Sequence, residues 1–76
     1  MNIDKKLTQI NEEIAKQIEY IRQAKKGVEY RVNQPATDVW ANSVISAVNT
    51  FNDEYGKLKI LNAQKKLLLE IKEGKK

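Results

Sequence analysis

A chain of 76 residues with neither cysteine nor histidine has room for one domain, cannot close a disulfide, and lacks the side chains most used to hold transition metals. Its formal charge is +4, from 14 basic and 10 acidic residues, and its longest uncharged run, 39–52, is too short and too rich in Asn, Ser and Thr to cross a bilayer. With Asp4, Glu12 and Glu13 interrupting any apolar signal core, the composition predicts a cytoplasmic protein with no membrane partner.

The first regular pattern is Ile3, Leu7, Ile10, Ile14, Ile18 and Ile21, whose steps match the α-helical repeat of about 3.6 residues. Lys5, Glu12, Glu13, Lys16, Glu19 and Gln23 fall on the opposite face, with Glu12 four residues before Lys16 in the favourable order. Asn2 or Asp4 is placed to cap the start, and Lys25, Lys26 and Gly27 make a plausible stop. The first helix is predicted over about 3–26. Residues 28–32 then alternate apolar and polar, but a lone strand would have no partner in this chain, so a loop or last helical turn is expected there. Asn33, Gln34 and Pro35 break regular structure, because Pro35 lacks a donor and biases Gln34 away from the helical region.

A second helix, capped by Thr37 or Asp38, is predicted over about 37–55. Its apolar face is Trp40, Val44, Ala47, Val48, Phe51 and Tyr55. Trp40, Phe51 and Tyr55 are expected in the core, whereas Tyr20 and Tyr30 are expected to be partly exposed. Beyond Gly56, Ile60, Leu61, Leu67, Leu68 and Ile71 form another stripe, but it lies roughly 170° away from the preceding one on an ideal helix. A left-handed turn at Gly56 resolves the conflict and yields a third helix over about 57–73. A straight continuation would bury opposite sides in two places and call for a second chain. The expected fold is therefore all-α over a single domain, 1–76: a small three-helix bundle or helical hairpin, alone or completed by dimerisation.

Nothing along the chain assembles a catalytic constellation. The ten acids are scattered, the acidic pairs at 12–13 and 53–54 do not converge on one helix face, and the usual base for activating a nucleophile is missing. Gly27, Gly56 and Gly74 are isolated, so no phosphate loop is formed. No catalytic residue, metal or cofactor is expected. Charge is more informative: residues 1–31 sum to +2, residues 32–56 to −3 and residues 57–76 to +5. Lys57, Lys59, Lys65, Lys66 and Lys72 are the candidates for phosphate contacts if the protein binds nucleic acid. The same lysines also solvate a helix face, and the segment has no Arg fork for reading bases. Asn42, Ser46, Asn49 and Asp53 form a polar stripe nearly free of charge, unlike ordinary exposed helix surface, and such a stripe suits contact with another subunit or target protein. Tyr30 is a candidate anchor beside it.

Gly27, Val28, Tyr30, Arg31, Asn33 and Pro35 resemble, with a gap, the connector of the theta accessory subunits of bacterial replicative polymerases. Ile18, Tyr20, Ile21 and Arg22 followed by Ser46 resemble the helical-hairpin aspartyl-phosphate phosphatases of sporulation, whose motif needs an acid where Thr50 stands. Neither carries functional residues across. Twelve Lys against two Arg, with seven Asn and eight Ile, fits an AT-rich gene such as that of a low-GC bacterium or its phages. The reading that follows is a non-enzymatic regulatory, inhibitory or accessory protein that binds a protein partner through helical surfaces and self-associates, with a dimer expected. A nucleic-acid-binding protein and a structural or assembly protein are the alternatives.

Overall fold

The computed structural model describes residues 2–74. Two helices, α1 (Ile3–Val32) and α2 (Trp40–Lys72), run antiparallel as a hairpin joined by residues 33–39. No helix of the described residues is long and apolar enough to cross a membrane. The expected three-helix bundle does not form, and the hairpin is the architecture that does. Neither internal glycine ends a helix. Among the described residues only Gly74 has a positive φ, 78°, and it follows the true end of α2, where its N–H donates to the Ile71 carbonyl.

The reason is a seam more regular than the sequence pattern suggested. On α1 it runs Ile3, Leu7, Ile10, Ile14, Gln17, Ile21, Ala24 and Val28, and on α2 Trp40, Val44, Ala47, Phe51, Glu54, Leu58, Leu61, Lys65 and Leu68; every residue named is at least half-buried. Steps of four and three alternate without interruption on both helices, the heptad arrangement that keeps one stripe facing a partner helix. Three tertiary contacts fix the register: Arg31 to Ser43, Gln17 to Glu54 and Lys72 to Asp4. Continuing through Gly27 adds Val28 to the seam, and continuing through Gly56 adds Leu58, Leu61 and Leu68. A mid-helix glycine costs about 1 kcal/mol relative to alanine. Even half of the roughly 1.5–3 kcal/mol from fully burying an aliphatic side chain, repeated over three leucines, outweighs it. Nor does α1 have a second apolar face to offer, since Lys6, Glu13 and Lys16 flank its stripe.

The apparent 170° reversal therefore has a different origin. Leu58, Leu61 and Leu68 prolong the seam of Val44, Ala47 and Phe51, while Ile60, Leu67 and Ile71 are extra apolar residues on the outside of α2, 60%, 57% and 44% exposed. Before Gly56 the extra residues Val48 and Tyr55 lie on the other flank, with Ile45 nearer the back of α2. Tyr55 is consequently 46% exposed and not core, whereas Trp40 and Phe51 are half-buried. On α1, Ile18 is likewise displaced from the predicted stripe: it is exposed, and Gln17 takes the seam position.

The helix ends differ from expectation as well. Asn2 caps α1, its Oδ1 accepting from the Lys5 N–H at 3.0 Å. α1 extends to Val32, so Tyr30 is helical. At α2 neither Thr37 nor Asp38 caps; Val39 occupies the cap position without a side-chain bond. The Trp40 indole N–H instead donates to the Arg31 carbonyl at 3.0 Å, which also accepts from the Gln34 N–H at 3.2 Å, and so ties the two helices together at the connector.

The product is a rod, 56 × 20 × 14 Å, with a radius of gyration of 17.3 Å, against about 11 Å for a compact chain of this length. Leu7 and Gln17 alone among the described residues are more than nine-tenths buried. The accessible surface is 5984 Å², whereas a compact monomer of 8.8 kDa exposes about 4,800 Å². Two helices cannot enclose a core, and the excess is the measure of what they leave open.

Candidate interaction surfaces

Halfway along the seam sits its one layer with a polar residue on both helices. Gln17, 7% exposed, donates through Nε2 to the Glu54 carbonyl and to Glu54 Oε2, each at 2.7 Å. Lys57 Nζ lies 3.1 Å from Glu54 Oε1. The Gln17 hydrogen bond, followed by the hydrogen bond and charge of Lys57, holds the Glu54 carboxyl below its ordinary value of 4.5 against the opposing effect of desolvation. A charge-assisted pair at this point penalises registers in which apolar residues would face it, at some cost in stability.

On one flank of the seam an open groove of about 460 Å³ runs between the helices, lined by Glu13, Tyr20, Lys57, Ile60, Leu61 and Gln64 among others. It continues toward the termini past Ile10, Leu67 and Leu68 and toward the connector past Ala24 and Thr50. Tyr20 is 51% exposed at its edge. Among the described residues no cluster of three or more metal-ligating side chains exists.

The predicted partner-binding residues are divided by the fold. Asn42, Ser46, Asn49 and Asp53 are all exposed. Each stands two positions after a seam residue, on the back of α2 directly away from α1. Tyr30, 67% exposed, stands two positions after Val28 on the back of α1, so the hairpin points it to the opposite side. It does not join the stripe.

The lysines are also dispersed. Lys65 is half-buried in the seam, Lys57 pairs with Glu54, Lys72 pairs with Asp4 at 2.6 Å, and the Lys59 ammonium lies 5.3 Å from the centre of the Tyr55 ring. Together with Lys66 they point around most of the circumference of α2 and form no single phosphate-tracking row.

Sequence reasoning missed Gln17 and Glu54, although their places in an unbroken four-three alternation were there to be found. It also missed that the polar stripe continues, in the same alternation, through Gly56, Ile60, Ala63 and Leu67. These eight positions, from Asn42 to Leu67, carry no Lys or Arg, and every one but Gly56 is exposed.

The architecture defines the class: an antiparallel two-helix hairpin with a heptad seam and apolar surface on its outside. No family model, no curated protein and no solved structure matches the chain.

Proposed function

We propose that this protein is a non-catalytic accessory or regulatory protein that works by docking its helical surfaces on another protein. The observation that carries the reading is the amount of apolar surface the hairpin leaves uncovered: among the described residues twelve large apolar side chains remain more than a third exposed, and no large side chain is fully buried. Isolated exposed hydrophobics need no explanation, but rows of them along a rod are the mark of an interaction surface. The groove beside Tyr20, Ile60 and Leu61 has the apolar floor and polar rim of a protein interface. The dispersal of the lysines argues against nucleic acid as the principal ligand.

Affinity capture from a host lysate tests the reading, with wild type compared against Tyr20→Asp in the presence of nuclease. Wild type is expected to retain a protein that Tyr20→Asp does not, and to bind DNA and RNA no tighter than about 100 μM at low salt. Equal retention by the two, retention of nothing, or submicromolar salt-sensitive binding of nucleic acid contradicts it.

A further inference from the structure

Gly56 has no role inside the hairpin. Its φ is not positive, it does not end α2, and a Cβ built there would meet nothing within 4 Å. What a glycine does supply on the back of a helix is room for close approach by another backbone.

The residues around it are arranged antisymmetrically. Asp53 and Glu54 precede Gly56; Lys57 and Lys59 follow it. The same division holds at larger scale, with residues 32–56 summing to −3 and residues 57–76 to +5. A two-fold axis through Gly56 that sets two α2 helices antiparallel brings position 56 + n of one copy against position 56 − n of the other. Under that operation Lys59 of each copy meets Asp53 of the other. Ala63 meets Asn49, and Leu67 meets Ile45, both 57% exposed in the single hairpin. Opposite charges face each other near the axis, Ile60 meets Asn52 and Ala63 meets Asn49 beyond them, and apolar pairs close both ends. An isologous interface needs such self-complementarity.

We infer that two copies of this chain pair through the backs of their α2 helices, antiparallel, about a two-fold axis at Gly56. The rod as a whole exposes about 1,200 Å² more than a compact monomer of its mass, of the same order as the about 800 Å² that one partner contributes to an interface of standard size. The pairing covers Ile60 and Leu67 on the α2 side of the groove and leaves Tyr20 on its α1 side uncovered; it deepens the docking reading above, on which it rests for the premise that the exposed rows are there to be covered.

Sedimentation equilibrium tests it on the purified full chain. Wild type should approach twice the 8.8 kDa of one chain. Gly56→Leu should weaken association at least about tenfold while helical circular dichroism is kept, since the leucine blocks the crossing point but fills empty space in the monomer. Asp53→Lys and Lys59→Glu each set like charges against each other twice per dimer and should each weaken pairing at least about tenfold. The double variant should pair again, and an equimolar mixture of the two single variants should form a heterodimer. A wild type that stays at one chain's mass, variants that all associate as wild type does, or a mixture that stays monomeric overturns the inference. Those results leave the capture experiment with Tyr20→Asp untouched, so the two readings fail separately.

Discussion

The Gln17 layer offers the sharpest energetic test of the seam. Removing the side chain with Gln17→Ala deletes a bond to a carboxylate, in the range of about 1.5–3 kcal/mol, and one to a backbone carbonyl, about 1 kcal/mol. It also opens a gap at a position only 7% exposed. Because Lys57 and water still reach Glu54, whose side chain is 20% exposed, part of the loss is recovered, and the expected net cost is about 2–4 kcal/mol. Gln17→Leu loses the same bonds but places an aliphatic side chain against Ile14, Ile21 and Leu58, where burial contributes about 1.5–3 kcal/mol. It should therefore lie within about 1 kcal/mol of wild type. Thermal unfolding followed by circular dichroism reads the difference. At about 4–8 °C per kcal/mol for a domain of this size, Gln17→Ala should melt at least about 8 °C below wild type and Gln17→Leu close to it. A Gln17→Leu protein as unstable as Gln17→Ala would refute the reasoning, because the polar bonds would then be a net source of stability and not a device for register.

The remaining predictions follow from the same seam and its ends. Glu54 has a folded-state pKa below its ordinary value of 4.5, so it contributes stability that is present above that value and is lost as pH falls through the folded-state pKa. Melting temperature between pH 7 and pH 3 should accordingly fall more steeply in wild type than in Glu54→Gln or Gln17→Leu, and parallel curves would contradict this. Gly27→Ala should raise stability by about 1 kcal/mol, since its Cβ meets nothing within 4 Å, whereas Gly74→Ala should lower it because φ there is 78°; urea titrations giving the same sign for both would be inconsistent with the helix ends described. Trp40→Phe keeps the ring and loses the bond to the Arg31 carbonyl, for an expected cost of about 0.5–1.5 kcal/mol by the same titration. Asn49→Arg adds a long cation to the back of α2 and should reduce self-association measured by light scattering; unchanged mass would remove that face from the interface.

Legibility in the sequence followed the regularity of each pattern. The stripe from Ile3 to Ile21 is strongly periodic, and α1 begins where it predicts, with Asn2 as cap. The connector around Pro35 is likewise where backbone chemistry puts it. Glycine misled at both internal positions, because its freedom to turn left-handed is a permission that tertiary burial overrides when the seam continues beyond it. Polar residues misled at Gln17 and Glu54, because a search for apolar positions steps over two groups that are buried by bonding to each other. The outward polar stripe from Asn42 to Asp53 was legible through its missing charges. Its continuation through Gly56 to Leu67 was hidden by treating Gly56 as an end, and Tyr30 joined it only on the assumption of a connector that is in fact helix.

The central claim is that α2 is one straight helix across Gly56. The chain has no cysteine, so Asn42→Cys with Lys66→Cys introduces two labelling sites at exposed positions, and a pulsed dipolar distance between spin labels, with labelled chain diluted in unlabelled, reads their separation within one molecule. An unbroken helix sets the two backbones about 36 Å apart, and a single distribution near that distance is expected. A distribution centred below about 20 Å means that the chain folds back at Gly56, and it would contradict the continuous seam, the open back of α2 and the pairing built on it.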